Sequence, residues 1–245
     1  MAKDLFSKQA AGYARFRPTY PPALFDWLAG VAPAREVAVD VGTGSGQAAV
    51  ELAERFARVV ALDPSEAQLA NATAHPRVTY RCAPAELTGV DARTADLLTA
   101  SQAFHWFDHP RFFEEARRVL RPGGVLAVWC YGLTKITPEI DAVVMELYEG
   151  YLGTYWDPAR RMVERLYRGV AFPFDELAAP PFEMNVRWRL EQLVGYLETW
   201  SALVTYKQER GSDPMTTIGP ALRRAWGDDE ERTVTWELGV RAARI

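Results

Sequence analysis

One short stretch, Val39–Gln47, constrains the fold of this chain more than any other part of its sequence. It reads VDVGTGSGQ, an apolar run that contains an acid and leads into glycines at alternate positions, followed by an amphipathic segment. Glycines in such a turn let a ligand approach the backbone closely, because no Cβ atom stands in the way. The pattern predicts a strand, a turn and a helix whose first N–H groups face the ligand. It therefore indicates a nucleoside pocket.

A second acid strengthens this interpretation. Asp63 ends the next predicted strand, about 20 residues past the glycines, where a carboxylate can accept hydrogen bonds from both hydroxyls of a ribose. The alternative is that Asp63 caps a helix that begins at Pro64, and one side chain can serve both roles. The glycines read G-x-G-x-G instead of the dinucleotide pattern G-x-G-x-x-G, which weighs against NAD.

The rest of the first 130 residues alternates short β-branched runs with amphipathic stretches, as in βαβ units. The predicted strands are Glu36–Val41, Arg58–Asp63, Arg77–Cys82, Ala95–Ser101 and Gly124–Cys130. The predicted helices are Gly46–Arg55, Ser65–Asn71 and Pro110–Leu120. We expect an α/β fold with a Rossmann-like, doubly wound sheet that is mostly parallel.

The alternation breaks beyond Gly132. Two predicted helices, Pro138–Leu152 and Pro158–Arg168, form a helical insertion over residues 133–178 near the active face. Two predicted strands, Phe182–Leu190 and Arg232–Arg241, close the sheet as an antiparallel pair, with predicted helices Glu191–Lys207 and Pro214–Trp226 between them. We expect one domain over residues 1–245, in which residues 1–30 form an N-terminal lid.

Composition excludes several classes of protein. The chain has 245 residues, of which 49% are hydrophobic and 24% charged, and no apolar run is long enough to span a bilayer. A net charge of -4 disfavours a nucleic-acid partner, and the N-terminus carries no secretion signal, so we expect a cytoplasmic protein. The three histidines and two cysteines show no metal-ligand spacing, so we expect no metal site.

The glycine-rich segment resembles the first motif of class I S-adenosylmethionine-dependent methyltransferases. Later landmarks of that family follow in the right order: Ala83–Glu86 reads APAE, Ser101–Phe107 reads SQAFHWF and Leu120–Gly124 reads LRPGG. More narrowly, Tyr13–Pro21 (YARFRPTYP) together with Gln102–Phe107 is similar to the branch that includes trans-aconitate-type small-molecule methyltransferases.

The resemblance implies S-adenosylmethionine as cofactor and a set of residues that would bind it. Those around its methionine part and sugar are Asp40, Gly42, Thr43, Gly44 and Gly46, with Asp63 on the ribose hydroxyls and Pro64 against the adenine. The Ala85-Glu86 stretch would edge the adenine, and the backbone of Gln102 and Ala103 would face the methionine amino group. Many relatives carry an aspartate where this chain has Pro84, so Glu86 or a backbone carbonyl would have to replace that contact.

The acceptor side is less defined. His105 follows a strand end where ligands of open α/β folds bind, so it either serves as a general base or packs as a structural corner with Trp106. Arg17 is a forked donor for an anionic acceptor or for the cofactor carboxylate, or else forms a surface ion pair. Tyr13, Tyr20 and Trp106 are further candidate acceptor contacts, and the aromatic insertion around Tyr148–Trp156 is either a packed helix face or a substrate pocket.

These observations predict a methyltransferase that acts on a small molecule, with a carboxylate as one acceptor. Methyl transfer from a sulfonium needs no metal and no covalent enzyme residue, only a nucleophile placed in line behind the methyl group. The alternatives are a cofactor-binding protein without catalysis, an NAD-type oxidoreductase and a nucleic-acid methyltransferase.

Overall fold

The computed structural model describes residues 17–245, and within that range eight strands form one mixed sheet. The strands are β1 (Val37–Val41), β2 (Arg58–Asp63), β3 (Val78–Cys82), β4 (Ala95–Ser101), β5 (Leu120–Lys135), β6 (Asp175–Leu177), β7 (Glu183–Trp188) and β8 (Arg232–Arg244). Their order is β3-β2-β1-β4-β5-β8-β6, with β7 also paired to β8. The first five strands run parallel, and β8 runs antiparallel to β5, β6 and β7. The predicted fold class is confirmed.

Nine α-helices surround the sheet within the described residues, and some begin at capping residues that the sequence marks. They are α1 (Pro22–Val31), α2 (Gln47–Ala53), α3 (Glu66–Leu69), α4 (His109–Val119), α5 (Pro138–Met145), α6 (Arg160–Glu164), α7 (Leu190–Glu198), α8 (Ser201–Arg210) and α9 (Met215–Trp226). Asp108 caps α4 by accepting from the Arg111 backbone N–H, and Thr137 caps α5 in the same way. No helix within residues 17–245 is long and apolar enough to cross a membrane.

Both faces of the sheet are covered, so β1 is buried at every residue. Ala38 packs in one core cluster with α1 and α2, whereas Val39 and its alternate neighbours pack in the other cluster with α4. On α1 the side chains of Leu24, Phe25 and Leu28 are fully buried. Burying each of them contributes about 1.5–3 kcal/mol.

The beginning of the chain differs from the predicted lid. Pro21 is extended, but Pro22 occupies the first position of α1, where a missing N–H is harmless and the fixed φ suits a helix. Residues 22–30 of the predicted lid segment therefore belong to the core. Residues 1–16 lie outside the described part of the chain. The lid therefore remains a hypothesis only for the residues before Pro22.

Several predicted boundaries after residue 119 were wrong. The strand predicted at Gly124–Cys130 extends from Leu120 to Lys135, and β6 was not predicted. The predicted helix Pro158–Arg168 is reduced to α6. The predicted helix Glu191–Lys207 is broken at Thr199 and Trp200, because the Thr199 hydroxyl donates to the Tyr196 carbonyl at 2.6 Å and Trp200 adopts an extended backbone. The predicted antiparallel closure is confirmed.

Candidate active site

The predicted cofactor residues meet at one edge of the sheet. They follow the carboxyl ends of four neighbouring parallel strands: Asp40, Gly42, Thr43, Gly44 and Gly46 at β1, Asp63 and Pro64 at β2, Ala85 and Glu86 beyond β3, and Gln102 and Ala103 after β4. The chain passes from β1 to β2 on one side and later returns to β4 on the other. This is the switch point at which open α/β sheets bind ligands.

The three glycines of the turn serve different purposes, although all have a positive φ (Gly42 65°, Gly44 55°, Gly46 82°). A Cβ atom on Gly42 would lie 2.4 Å from the Cβ of Ala103, so this glycine lets the loops after β1 and β4 touch. A Cβ on Gly46 would lie 2.1 Å from the Tyr80 hydroxyl oxygen. On Gly44 the nearest atom would be 4.0 Å away, so this glycine is the one that leaves room for a ligand.

Asp63 connects β2 to the glycine turn. Its Oδ2 accepts from the Gly44 backbone N–H at 2.9 Å and its Oδ1 accepts from the Ser65 backbone N–H at 2.9 Å. Burial raises the pKa of Asp63, and these two hydrogen bonds oppose the rise. The residue that caps α3 is Ser65, whose side chain accepts from the Gln68 N–H, so the alternative in which Asp63 caps a helix that begins at Pro64 does not hold.

Asp40 lies beneath the turn and has no exposed surface. Its two oxygens accept from the hydroxyls of Thr43 and Thr99, each at 2.6 Å. Burial raises the pKa of Asp40 to about 6, while the two hydroxyl donors act in the opposite direction and the nearby Asp63 raises it slightly further. Asp40 therefore holds the turn against β4.

The remaining predicted cofactor residues form the rim. Pro64 is exposed and Ala85 is buried. The Glu86 carboxylate accepts from the Asp108 backbone N–H at 2.8 Å, which fixes the start of α4. Gln102 adopts a left-handed backbone with φ 51°, and its side-chain oxygen accepts from the Tyr131 N–H at 3.3 Å. A strained residue other than glycine at a strand end is typical of a functional position.

A pocket of about 60 Å³ adjoins this edge through Gln102. We call it the acceptor pocket, and its lining residues are Arg17, Gln102, His105, Trp106, Trp156, Asp157, Arg160, Tyr196, Trp200 and Ser201. The aromatic insertion thus lines a pocket through Trp156, which agrees with the second of its two interpretations, a substrate pocket.

Arg160, Tyr196 and Trp200 line the pocket but were not predicted from the sequence. Tyr196 and Trp200 are four residues apart within the predicted helix Glu191–Lys207, and this spacing could have pointed to them as a pair on one helix face. No such signal marked Arg160.

Two arginines face this pocket. Arg17 donates through Nη1 to the Tyr131 hydroxyl at 2.7 Å and lies over the Tyr196 ring, 5.6 Å from its centroid. Arg160 lies over the Trp156 ring at 5.0 Å and donates through Nε to the Tyr148 hydroxyl at 3.2 Å. Within residues 17–245 that is the one hydrogen bond of the Arg160 guanidinium, so its Nη groups remain available to a ligand.

The other predicted acceptor residues are not all brought together. Trp106 lines the pocket and is 37% exposed, but Tyr20 packs in the core against Trp129 at a ring distance of 5.6 Å. Tyr13 lies outside the described residues. The His105 Nδ1 is 2.9 Å from the Tyr167 hydroxyl, and burial, helped by the positive charge of Arg160, lowers the pKa of His105 to about 3. A ring with that pKa is neutral at pH 7.

Among residues 17–245 no group of three His, Cys, Asp or Glu side chains is arranged to hold a metal ion. The donor set at the sheet edge instead suits a nucleoside. Gly44 leaves room for close approach, Asp63 presents a carboxylate at its side, and Gln102 exposes strained backbone across the switch point. These residues fit S-adenosylmethionine.

Comparisons with known proteins agree with this geometry. The sequence profile of a methyltransferase domain family matches residues 39–128. A Dictyostelium discoideum protein described as a methyltransferase is 34% identical over 227 residues, which cover 91% of this chain and 86% of that protein. A solved structure from Anaeromyxobacter dehalogenans, described as a type II methyltransferase, is 54% identical with a TM-score of 0.87 and covers 94% of this chain and 98% of its own.

A Saccharomyces cerevisiae protein described as an S-adenosylmethionine-dependent methyltransferase is 24% identical over 242 residues, covering 84% of this chain and 83% of its own length. The similarity thus covers most of the chain, including both the glycine turn and the insertion. Family, fold and the geometry of the sheet edge agree. The chain belongs to the class I S-adenosylmethionine-dependent methyltransferases and is an enzyme of that family.

Proposed function

We propose that the enzyme transfers the methyl group of S-adenosylmethionine to a carboxylate of a small molecule that binds in the acceptor pocket. The observation that supports this most directly is the pair of arginines, Arg17 and Arg160, in a pocket whose lining includes the aromatic rings of Trp156, Trp200 and Tyr196. A planar guanidinium pairs with a carboxylate through two parallel hydrogen bonds. The surrounding rings keep water away and so strengthen that attraction.

We also propose how the sheet edge holds the cofactor. Asp63 accepts hydrogen bonds from the ribose hydroxyls, Gly44 lets the sugar and methionine part approach, and Gln102 and Ala103 present backbone from the opposite loop. Pro64, Ala85 and Glu86 bound the adenine. When bound, S-adenosylmethionine supplies a methyl group activated by its sulfonium.

The protein's own part in the reaction is to bind and orient the acceptor. A carboxylate is already ionised at neutral pH, so it is a nucleophile without the help of a general base. This agrees with the low pKa of His105, which cannot hold a proton taken from an acceptor at pH 7. The arginines fix the oxygen that attacks, and the position of the pocket beside Gln102 brings it to the cofactor edge.

The test is an acceptor panel with methyl-labelled S-adenosylmethionine. The panel contains mono-, di- and tricarboxylic acids, each paired with its amide, together with phenols and amines as other acceptor classes. We expect label in a carboxylic acid and none in the matched amide, and we expect mild base to release the label as methanol, as from an ester. Equal labelling of acids and amides, or label only in phenols or amines, would contradict the carboxylate proposal.

A further inference from the structure

Two consecutive residues behind the acceptor pocket hold an unusual backbone. Leu166 and Tyr167 have φ of 51° and 59°, in the left-handed region that residues with a Cβ rarely adopt. In this region the Cβ atom lies too close to the carbonyl oxygen that follows it, so the conformation is strained. Strain of this kind persists only where the surroundings fix it, and it accumulates at sites of function.

Contacts from β8 hold this bend in place. Arg241 donates through Nη1 to the backbone carbonyl oxygens of Tyr167 at 3.1 Å and Val170 at 2.6 Å, and its other nitrogens pair with both oxygens of Glu176. Leu166 packs directly on Gly239, where an added Cβ would lie 2.4 Å from the Leu166 Cβ. The bend therefore depends on the tertiary structure and not on local preference.

The result of the bend is a buried hydroxyl placed against His105. Tyr167 has no exposed surface, and its Oη lies 2.9 Å from His105 Nδ1. A buried phenol needs an acceptor for its proton. The Cys130 thiol also lies near, but sulfur is a weaker acceptor than the imidazole nitrogen at 2.9 Å. Tyr167 therefore donates to Nδ1.

This assignment decides which nitrogen of His105 carries hydrogen. A neutral imidazole has one N–H group, and with Nδ1 accepting from Tyr167 the hydrogen is on Nε2. The ring stays neutral because it is largely buried beside the cation of Arg160, and burial also raises the pKa of the Tyr167 phenol well above its usual range. His105 lines the acceptor pocket, where the nitrogen not bonded to Tyr167 is Nε2.

We propose that Tyr167 is a positioning residue that locks His105 in the Nε2–H tautomer, so that His105 donates a hydrogen bond to an oxygen of the acceptor. The donor role rests on the proposed carboxylate acceptor, whereas the tautomer does not. His105 then adds a neutral donor to the arginines and assists in selecting which acceptor oxygen faces the methyl group. It does not remove a proton.

Nitrogen-15 NMR of the histidine rings tests the tautomer directly, since the chain has only three histidines. The variant His105→Gln identifies the His105 signals by their loss. In the wild-type protein at pH 7 we expect a neutral ring with protonated Nε2 and unprotonated Nδ1, and in Tyr167→Phe a mixture of both tautomers, with His75 unchanged. A wild-type ring that is protonated at Nδ1, or charged, would overturn the proposal even if the variant failed to fold.

Kinetics test the donor role. We expect Tyr167→Phe to lower kcat/KM for the acceptor by roughly tenfold, which corresponds to about 1.4 kcal/mol, with unchanged affinity for S-adenosylmethionine. Tyr206→Phe removes a phenol hydroxyl from a residue of α8 that does not line the pocket, so it is the control and leaves the rate unaltered. If carboxylic acids are methylated but Tyr167→Phe leaves kcat/KM unaltered, the donor role fails while the proposed function stands. If no carboxylic acid is methylated, the proposed function and the donor role fail, and the NMR result alone decides the tautomer.

Discussion

The cofactor edge and the acceptor pocket lie side by side but are built in opposite ways. At the cofactor edge, polar side chains bond to the protein itself: Asp63 accepts from Gly44 and Ser65, and Asp40 accepts from Thr43 and Thr99. In the acceptor pocket, charged side chains lie on aromatic rings, and Arg160 keeps its Nη groups for a ligand. The cofactor edge depends on backbone conformation, so few substitutions there leave the fold undisturbed. The acceptor pocket depends on side chains, which can be replaced without disturbing the sheet.

The sharpest test of this contrast is at the glycine turn. We expect Gly42→Ala to lower the free energy of unfolding by at least about 3 kcal/mol, since its Cβ would meet the Cβ of Ala103 at 2.4 Å and its φ is left-handed. Chemical denaturation measures this effect. Neither atom can turn away, because both Cβ positions are set by backbone.

Gly44→Ala is the matched variant at the same turn. It shares the left-handed φ but meets no atom closer than 4.0 Å, so we expect a loss of stability of about 1–2 kcal/mol. Its main expected effect is on the affinity for S-adenosylmethionine, because the added methyl group occupies the space left for the ligand. We expect that affinity to fall by about tenfold or more, as measured by calorimetry. Equal stability losses in the two variants would mean that the turn is not in contact with the loop after β4.

Asp40 provides a prediction with a defined pH window. Its pKa in the folded state, about 6, lies above the ordinary value of 3.8, so the folded protein binds this proton more tightly than the unfolded chain. Its contribution to stability is therefore lost as the pH rises from about 4 to about 6. We expect Asp40→Asn to match the wild type near pH 4 and to be more stable at pH 7 by on the order of 2–3 kcal/mol.

Denaturation curves at several pH values check this prediction. A constant difference between Asp40→Asn and wild type across the window would show that the carboxyl does not titrate there. The same variant is expected to bind S-adenosylmethionine more weakly, because the amide cannot accept from both Thr43 and Thr99 as the carboxylate does.

Arg160 tests the other side of the contrast. We expect Arg160→Gln to raise KM for a carboxylate acceptor by about 10- to 150-fold, which corresponds to about 1.5–3 kcal/mol for a hydrogen bond between charged groups. Affinity for the cofactor and the unfolding midpoint stay close to wild type. Arg161→Gln removes the same charge from an exposed neighbour outside the pocket and serves as the control. Similar KM values for the two variants would remove Arg160 from acceptor recognition.

Asp63 is expected to give the smallest of these effects. An Asp63→Asn side chain has one acceptor oxygen, so it can keep the bond from Gly44 or the bond from Ser65 but not both. We expect the affinity for S-adenosylmethionine to fall by about 5- to 10-fold, roughly 1 kcal/mol, as measured by calorimetry. An unchanged affinity would limit Asp63 to holding the turn.

The elements of the sheet were predictable where local pattern and burial agree. Arg58–Asp63 and Ala95–Ser101 were predicted to the residue, because strands buried on both faces read as continuous apolar runs. The break at Thr199 was not predictable, since it depends on a buried hydroxyl bonding to the Tyr196 carbonyl in an otherwise helical sequence. β6 is only three residues long and forms by pairing with the edge of β8, so its own sequence carries little signal.

The sequence by itself determined the cofactor side of this enzyme. Alternate glycines after a strand, and an acid at the end of the next strand, require particular backbone conformations that local chemistry alone specifies. Only the tertiary structure decided the acceptor side. Arg17, Arg160 and Trp200 are far apart along the chain and meet because the insertion and α8 pack over the end of β4. The strained bend that places Tyr167 against His105 likewise exists only where Arg241 and Gly239 of β8 hold it.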